Sequence, residues 1–207
     1  DTAVFVSCDL VYISARLRNE LRAEVAKRIP NFSTHRIILS AIHTHTAPVL
    51  EDDPDEASFL YPIPEGVTKV NDYRKLFTQR VADAIVKAWN SRDRGSVTWG
   101  VYRAAIGYNR RAVYKDGTAV MYGKTDRQDF QSLEGYEDHD INSMFFWDSK
   151  NRLIAMSVDV VCPAQEFEHL HTVNADYWHP VRVALQQKFG SQLNVLTWIG
   201  AAGDQSP

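Results

Sequence analysis

The sequence is poor in the features that define several protein classes. It contains only two cysteines, Cys8 and Cys162, so a disulfide framework is excluded. We expect two buried thiols, and a single bridge between them is the alternative. No run of about 18 apolar residues occurs, so the sequence predicts no membrane-spanning helix. Internal repeats and low-complexity stretches are absent as well.

A strong charge of either sign is also missing. The 23 basic and 26 acidic residues give a formal net charge of −3, and they are dispersed along the chain. Because proteins that bind nucleic acids usually carry a basic excess, we expect no nucleic-acid partner. What remains is a chain of 207 residues that is 44% hydrophobic, which is enough for one well-filled domain.

The two ends of the sequence both fall inside segments that look structured. Asp1 is followed directly by the apolar residues 3–6, which resemble a strand entered halfway, and the chain stops in a loop that looks functional. We therefore expect residues 1–207 to form a single α/β domain that is an incomplete part of a longer polypeptide. The absence of a targeting segment then says nothing about the compartment.

The N-terminal part is predicted to form a strand, a helix and a second strand. Residues 4–10 are apolar and β-branched, and residues 35–42 read as a buried strand. Between them, apolar residues recur every four positions over residues 13–29, which predicts an amphipathic helix ended by Pro30. Such a unit favours a parallel strand pair, with the loop after the second strand at the carboxyl edge where functional loops gather.

The rest of the chain is predicted to add strands of both pairing types. Two further helices are expected at 70–89 and 177–189, where apolar residues recur at helical spacing. Strands are expected at residues 96–106, 144–147, 153–161 and 194–199, and loops at 51–64, 107–117 and from there to about residue 140. The predicted fold is therefore α/β, with a mixed β-sheet core flanked by helices.

Two histidines directly follow the second predicted strand. In extended backbone, residues i and i+2 project to the same side, so we expect His43 and His45 to point the same way. Neutral imidazole nitrogen is a zinc ligand, so this pair is a candidate metal site, with Thr44 and Thr46 available for supporting hydrogen bonds. The alternative is a pair of polar loop histidines without a metal, because His-x-His is short and common.

A second His-x-His pair, His169 and His171, lies in a polar segment before the third helix. A solvated loop is the preferred interpretation there, and metal binding is the alternative. Guanidinium groups bind carboxylate or phosphate through two parallel hydrogen bonds, which makes Arg110 in the Asn109-Arg110-Arg111 segment a candidate anion-binding residue. A surface ion pair is the competing interpretation.

The last eight residues, 200–207, form a small-residue loop after a buried strand. Small residues let the backbone approach a ligand closely. Asp204 can orient a histidine, and Ser206 can serve as a nucleophile or oxyanion donor. The segment does not match the G-x-S-x-G pattern of nucleophile elbows, and a structural turn is equally consistent with it.

Taken together, these segments resemble the neutral and alkaline (non-lysosomal) ceramidase family. The segment PNFSTHRIILSAIHTHTAP is similar to a family signature in which a strand ends in T-H-T-H-S-G-P. Tyr108-Asn109-Arg110 resembles its Asn-Arg loop, and Asn174-Ala175-Asp176 its Ser-x-Asp segment before a helix. TWIGAAGDQSP resembles its G-A-A-G-D-V-S-P motif. The matches keep the same order along essentially the whole chain.

The resemblance implies a secreted or periplasmic zinc amidohydrolase that cleaves the N-acyl bond of ceramide, a sphingolipid. It makes His43 a zinc ligand and places His45 beside the metal as a ligand or proton-transfer partner. It also implies a lipid amide as substrate and is compatible with peripheral contact with a membrane. Its remaining ligands, a glutamate and a tyrosine, lie in sequence beyond residue 207. The residues that it assigns to catalysis are His45, Asp204 and Ser206, and those that it assigns to substrate binding are Asn109, Arg110 and Asp176.

One departure from the family pattern concerns the metal. Cys162 stands where the family has a second zinc histidine. Cysteine thiolate is itself a competent zinc ligand, and His171 from the following loop is another candidate, so the expected metal set is His43, Cys162 and His171. Alternatively the site has lost or changed its metal.

Three functional hypotheses are consistent with the sequence, and the departure at Cys162 supports the third. The first is a zinc-dependent hydrolase of a ceramide-like amide, and the second is a hydrolase of a more polar amide. The third is a non-catalytic binding domain that kept the fold and lost the metal. Ala47 replaces a glycine of the family signature and Trp178 a small residue, so the pocket is expected to be reshaped.

Overall fold

The computed structural model describes residues 2–51 and 64–207 of the chain. Most of the loop predicted at residues 51–64 therefore lies outside the described residues. In chain order, the elements are β1 (Val4–Cys8), α1 (Ala15–Arg28), β2 (Ile37–Ala41), α2 (Val70–Asn90), β3 (Gly95–Arg103), β4 (Tyr108–Asn109), β5 (Arg111–Tyr114), β6 (Ala119–Met121), β7 (Phe130–Leu133), β8 (Asp140–Asp148), β9 (Leu153–Val160), α3 (Trp178–Phe189), β10 (Asn194–Ile199) and β11 (Gln205–Ser206).

The predicted α/β fold with a mixed sheet is confirmed. Strands β1 and β2 are parallel neighbours, and a four-stranded sheet follows the order β10-β9-β8-β3. Its β10–β9 pair is parallel, whereas the β9–β8 and β8–β3 pairs are antiparallel. The hydroxyl group of Ser7 donates a 2.7 Å hydrogen bond to the Thr197 carbonyl, which joins β1 to β10.

The first two helices pack together against β1 and β2. Ser14 caps α1 by accepting the Leu17 N–H group at 2.9 Å. The spacing of four residues noted in the sequence places Leu17, Leu21 and Val25 on the buried face of the helix. Leu21 and Val25 lie in one apolar cluster with Ile85 of α2, so this layer is closed by side chains from both helices.

The third helix covers the other half of the sheet. Trp178, at its first position, is 1% exposed and packs in a cluster with Met156 and Val158 of β9 and with Cys162 just beyond that strand. The aromatic ring that replaces a small residue of the family pattern is thus a core residue. It anchors the segment between β9 and α3 against the sheet.

The segment from residue 107 to residue 140 contains more strand than the sequence predicted. Strand β5 pairs with both β6 and β7 in a small antiparallel sheet. Strand β4 pairs with β11, so that Asn109 lies opposite Gln205. Strands of two to four residues are too short to show an alternating pattern, which is why the prediction of a loop was wrong here.

Both cysteines are free and buried, as expected for thiols that fill apolar space. Burial, and to a smaller degree the charge of Asp9, raise the pKa of Cys8 to about 12. Among the helices of the described residues, none has the length and apolar character needed to cross a membrane.

We expect Leu21→Ala to lower the free energy of unfolding by about 2–5 kcal/mol, because Leu21 is 1% exposed in the α1–α2 layer. The matched control is Leu76→Ala on α2, where the leucine is 47% exposed and the change should stay within about 0.5 kcal/mol. Urea denaturation followed by circular dichroism measures both. Equal losses in the two variants would contradict this assignment of the core.

Candidate functional site

The loop that follows β2 is fastened to the loop that follows β9. The Ala164 N–H group donates to the Ile42 carbonyl at 3.2 Å. The hydroxyl groups of Thr44 and Thr46 both lie 3.1 Å from the Asn174 carbonyl, which accepts from them. The carboxyl ends of the two strands therefore meet at one edge, where we expected the functional loops.

His43 is held in an unusual backbone conformation. Its φ of 61° lies in the left-handed region, which is uncommon for residues other than glycine. The prediction that the two histidines point to the same side assumed an extended backbone. That assumption is wrong for His43. Positive φ also occurs at Tyr122 and Asp176, which lie in or beside the same site. Such strain clusters at functional sites because the surrounding contacts must enforce it.

The rings of His43 and His45 nevertheless converge. Their Nε2 atoms are 3.2 Å apart, and the ring centroids are 4.9 Å apart. The Nδ1 atom of His43 lies 2.9 Å from the Val11 carbonyl, which can only accept a hydrogen bond, so this nitrogen carries the proton. A neutral His43 ring therefore presents the lone pair of Nε2 toward His45.

A carboxylate holds the second ring in the same way. The Nδ1 atom of His45 lies 3.1 Å from the Glu168 carboxylate, which fixes the Nδ1–H tautomer. The lone pair of His45 Nε2 then faces both His43 and the Gln165 amide nitrogen. Burial lowers the pKa of His45 below its usual value, and the charge of His43 adds to this effect. Glu168 acts in the opposite direction but does not outweigh burial, so the His45 ring is neutral near pH 7.

At 3.2 Å, the two Nε2 atoms are close enough to share a proton or a cation. In a tetrahedral zinc site with bonds of about 2.0–2.1 Å, two ligand nitrogens lie roughly 3.3 Å apart. Metal-bound histidines also usually donate their other N–H group to a carbonyl or carboxylate. The pair His43 and His45 thus fits two coordination positions of zinc.

The other residues predicted for the metal do not complete this pair. Within residues 2–51 and 64–207, no three His, Cys, Asp or Glu side chains lie close enough together to hold a metal ion. The Cys162 Sγ atom is 3.8 Å from the Ile106 carbonyl and 3.6 Å from the Pro163 carbonyl. Burial raises the pKa of this thiol to about 11, so it is protonated near pH 7. His171 is exposed.

Gln165, which was not predicted as a site residue from the sequence, connects the histidines to Arg110. Its amide nitrogen lies 3.1 Å from Nε2 of His45 and 3.1 Å from the Glu168 carboxylate. Its amide oxygen accepts a 3.1 Å hydrogen bond from Arg110. The polar character of the loop after β9 was the only sequence signal for Gln165 and Glu168, since loop contacts have no periodicity.

Arg110 forms no ion pair with any carboxylate in the part of the chain that the structure describes. Its guanidinium group donates to the Tyr122 hydroxyl at 2.6 Å and to the Gly203 carbonyl at 3.0 Å. Its Nε–H group is buried and has no acceptor among these residues. A guanidinium group that has no carboxylate partner within the described residues can bind an anionic group or a polarised carbonyl oxygen of a ligand.

The remaining predicted residues make structural contacts around this centre. The buried Asp176 carboxylate accepts the N–H groups of Glu166 at 3.1 Å and Phe167 at 2.8 Å, which shapes the loop that carries Glu168. Asp204 accepts the Asn109 amide at 3.0 Å, and its carbonyl accepts the Arg110 N–H group at 2.8 Å. Ser206 lies in β11 opposite Tyr108.

The fold is similar to those of solved ceramidases. The crystal structure of neutral ceramidase from Pseudomonas aeruginosa superposes with a TM-score of 0.74 and 15% identity, over 98% of this chain and 31% of that chain. A ceramidase complexed with C2 gives a TM-score of 0.75 and 14% identity, over 99% and 30%. This chain thus spans about a third of the length of those proteins. No family model and no curated protein sequence matches it.

We expect the imidazole of His45 to titrate with a midpoint below about 6.5, the ordinary value for histidine, because burial disfavours its charged form. Glu168→Gln should lower the midpoint further, since the carboxylate favours imidazolium. NMR of the metal-free protein in EDTA measures both midpoints. A midpoint above 6.5, or an upward shift in Glu168→Gln, would contradict the assignment of these contacts.

Proposed function

We propose that this chain is the metal-binding part of a zinc-dependent hydrolase of a C–N amide bond, with a ceramide-like N-acyl amide as its substrate. One observation carries the proposal: two imidazoles converge with Nε2 atoms 3.2 Å apart while both outer nitrogens are held by acceptors. The structural similarity to ceramidases supports the choice of an amide, and the sequence resemblance supports the choice of zinc.

We assign a separate role to each residue around the proposed metal. Zinc, when bound, supplies Lewis acidity for polarising an amide carbonyl and activating water. His43 would hold it through Nε2, and the Val11 carbonyl accepts from Nδ1 and so maintains the required tautomer. His45 is either a second ligand or the group that takes a proton from water and passes it to the leaving amine. Glu168 orients this ring for either role and stabilises its charged form.

Arg110 and Gln165 are suited to the substrate side of the reaction. Amide hydrolysis places negative charge on the former carbonyl oxygen, and hydrogen-bond donors aimed at that oxygen lower the barrier. The Nε–H group of Arg110 is without an acceptor in the described residues, and Gln165 holds the guanidinium beside His45. Asn109 and Asp204 keep the backbone of Arg110 in place, so we propose them as positioning residues.

Cys162 and His171 can serve as metal ligands only if the site rearranges. For Cys162 to serve as a ligand, its thiol must lose a proton and turn away from the Ile106 and Pro163 carbonyls. His171 would have to approach from an exposed loop. Ser206 is proposed as a donor near the reaction centre, and Asp176 as a residue that orders the substrate-binding loop. A secreted or periplasmic location and peripheral membrane contact belong to the same proposal.

A non-catalytic binding domain is the second candidate. The observation in its favour is that Cys162, which stands in place of a family histidine, is a buried, protonated thiol. A hydrolase of a more polar amide is a variant of the first candidate. It is favoured by the guanidinium group of Arg110, which has no ion pair within the described residues. The two catalytic versions differ only in substrate, whereas the binding domain predicts no zinc at His43.

We expect roughly one zinc ion per chain in the intact protein, measured by elemental mass spectrometry, and its loss in His43→Ala. Chelation should abolish hydrolysis of N-acyl sphingoid and N-acyl amino substrates, and zinc should restore it. Glu168→Gln should weaken zinc binding about 10–100-fold, because removing an outer-shell partner disturbs the ligand.

The matched control variants make the same two substitutions, His→Ala and Glu→Gln, at residues outside the proposed metal site. His35→Ala removes a histidine from the short helical turn before β2, and Glu166→Gln neutralises an exposed carboxylate two residues from Glu168. Both should bind zinc as wild type does. Zinc-free wild-type protein after incubation with zinc would refute the metal site, whereas bound zinc without turnover on any amide would refute only the catalytic role.

A further inference from the structure

A small pocket opens beside the ring of His45. It is formed by residues 10–12, which follow β1, by residues 47–51, which follow the two histidines, and by Leu17 of α1. Its volume is about 150 Å³. Because β1 and β2 are parallel neighbours, the loops that follow them lie at the same edge of the sheet, and the pocket adjoins the candidate site.

The inner end of this pocket is closed by the protein core. Leu10 is 3% exposed, Leu17 1% and Leu50 6%, and the three side chains belong to one apolar cluster. The buried guanidinium group of Arg74 donates to the Leu50 carbonyl at 2.9 Å, which holds this wall in place. Since core side chains close the inner end, the depth of the pocket does not depend on what lies over its mouth.

The pocket adjoins both histidines of the candidate site. His45 is one of its lining residues, and so is Val11, whose carbonyl accepts the Nδ1–H group of His43 at 2.9 Å. Reactive groups and apolar core residues thus line one small space. A substrate whose carbonyl carbon reacts at the histidines can extend a short substituent into it.

The size and the walls of the pocket define the chemistry of its occupant. A water-sized group takes up about 30 Å³, so the pocket has room for an unbranched chain of about four to six carbon atoms. Whole small-molecule ligands usually occupy roughly 300–1,000 Å³, so this pocket takes one part of a larger ligand. Because side chains of the apolar cluster line it, hydrocarbon is the part that gains most from burial there.

Ala47 restricts the space in this pocket. It packs against the cluster of Leu10, Leu17 and Leu50, and it lines the pocket two residues after His45. The T-H-T-H-S-G-P signature of the ceramidase family has glycine at this position. A glycine would leave the volume of one methyl group open, so alanine shortens the chain that the pocket accepts.

We propose that this pocket receives the acyl chain of the amide substrate and restricts it to short chains, with Ala47 as the residue that sets the length. The identity of the occupant as an acyl chain rests on the proposed hydrolase function, whereas a site for a short apolar chain does not. Burial against Leu10 and Leu17 stabilises the bound chain. Methylene groups beyond the accepted length must stay outside or displace core side chains, which is unfavourable.

The first test compares kcat/KM of the intact, zinc-loaded protein for acetyl, butyryl, hexanoyl, octanoyl and dodecanoyl amides of sphingosine, at equal mole fractions in the same detergent micelles. We expect the maximum at butyryl or hexanoyl and a value lower by about tenfold or more for dodecanoyl. Ala47→Gly should raise the octanoyl-to-hexanoyl ratio about tenfold, and Ala47→Val should lower the hexanoyl-to-butyryl ratio about tenfold. Ala104→Gly, the same substitution at an exposed residue outside the pocket, should leave the length profile unchanged.

The second test requires neither turnover nor zinc. In the protein with isotope-labelled leucine methyl groups, hexanamide should shift the NMR signals of Leu10 and Leu17. The signals of Leu193, which is buried in a different apolar cluster, should stay unchanged. Ala47→Val should weaken hexanamide binding about tenfold, with a circular dichroism spectrum that matches that of the wild type.

Three results would overturn the proposal. These are a maximum of kcat/KM at dodecanoyl in the wild type, a length profile that neither Ala47→Gly nor Ala47→Val changes, and hexanamide that leaves Leu10 and Leu17 unshifted. Shifts at these two leucines without hydrolysis of any amide would refute the hydrolase function and support the short-chain site alone.

Discussion

The candidate site depends on one junction, the attachment of the loop after β2 to the loop after β9. The Ala164–Ile42 backbone hydrogen bond and the two threonine hydroxyls on the Asn174 carbonyl make this attachment. One loop carries the two histidines, and the other carries Gln165 and Glu168. The strands β1, β2 and β9 end at this edge. Beyond them, the polar groups of the loops form hydrogen bonds with one another instead of with a neighbouring strand.

The electrostatics of the site follow from that junction. A backbone carbonyl and a carboxylate each take the N–H group of one imidazole, which turns two lone pairs toward each other. The left-handed backbone at His43 is the strain that this arrangement requires. The same pattern of outer acceptors is what metal-bound histidines generally show, and this is why we propose a cation at this site. Cys162, in contrast, is held as a neutral thiol by its apolar surroundings.

Much of the fold could be predicted because apolar periodicity reports burial directly. Strand β10 spans the predicted residues 194–199, and α1, α2 and α3 lie within one or two residues of their predicted limits. The short strands between residues 107 and 140 could not be predicted, because two to four residues show no period. At the site, the pair His43 and His45 was predicted from the side-chain alternation of extended backbone, but the backbone of His43 is left-handed. Glu168 and Gln165 were missed because contacts between two loops depend on tertiary placement, which spacing along the chain does not encode.

The central claim is that His43 and His45 present two lone pairs to one cation. Crystals of the zinc-loaded protein, measured at the zinc absorption edge, test it most directly. We expect a single anomalous peak about 2.0–2.1 Å from Nε2 of His43, with Nε2 of His45 within coordination or hydrogen-bond distance of the metal or its bound water. A peak at Cys162 without either histidine, or no peak near His43 at saturating zinc, would contradict it.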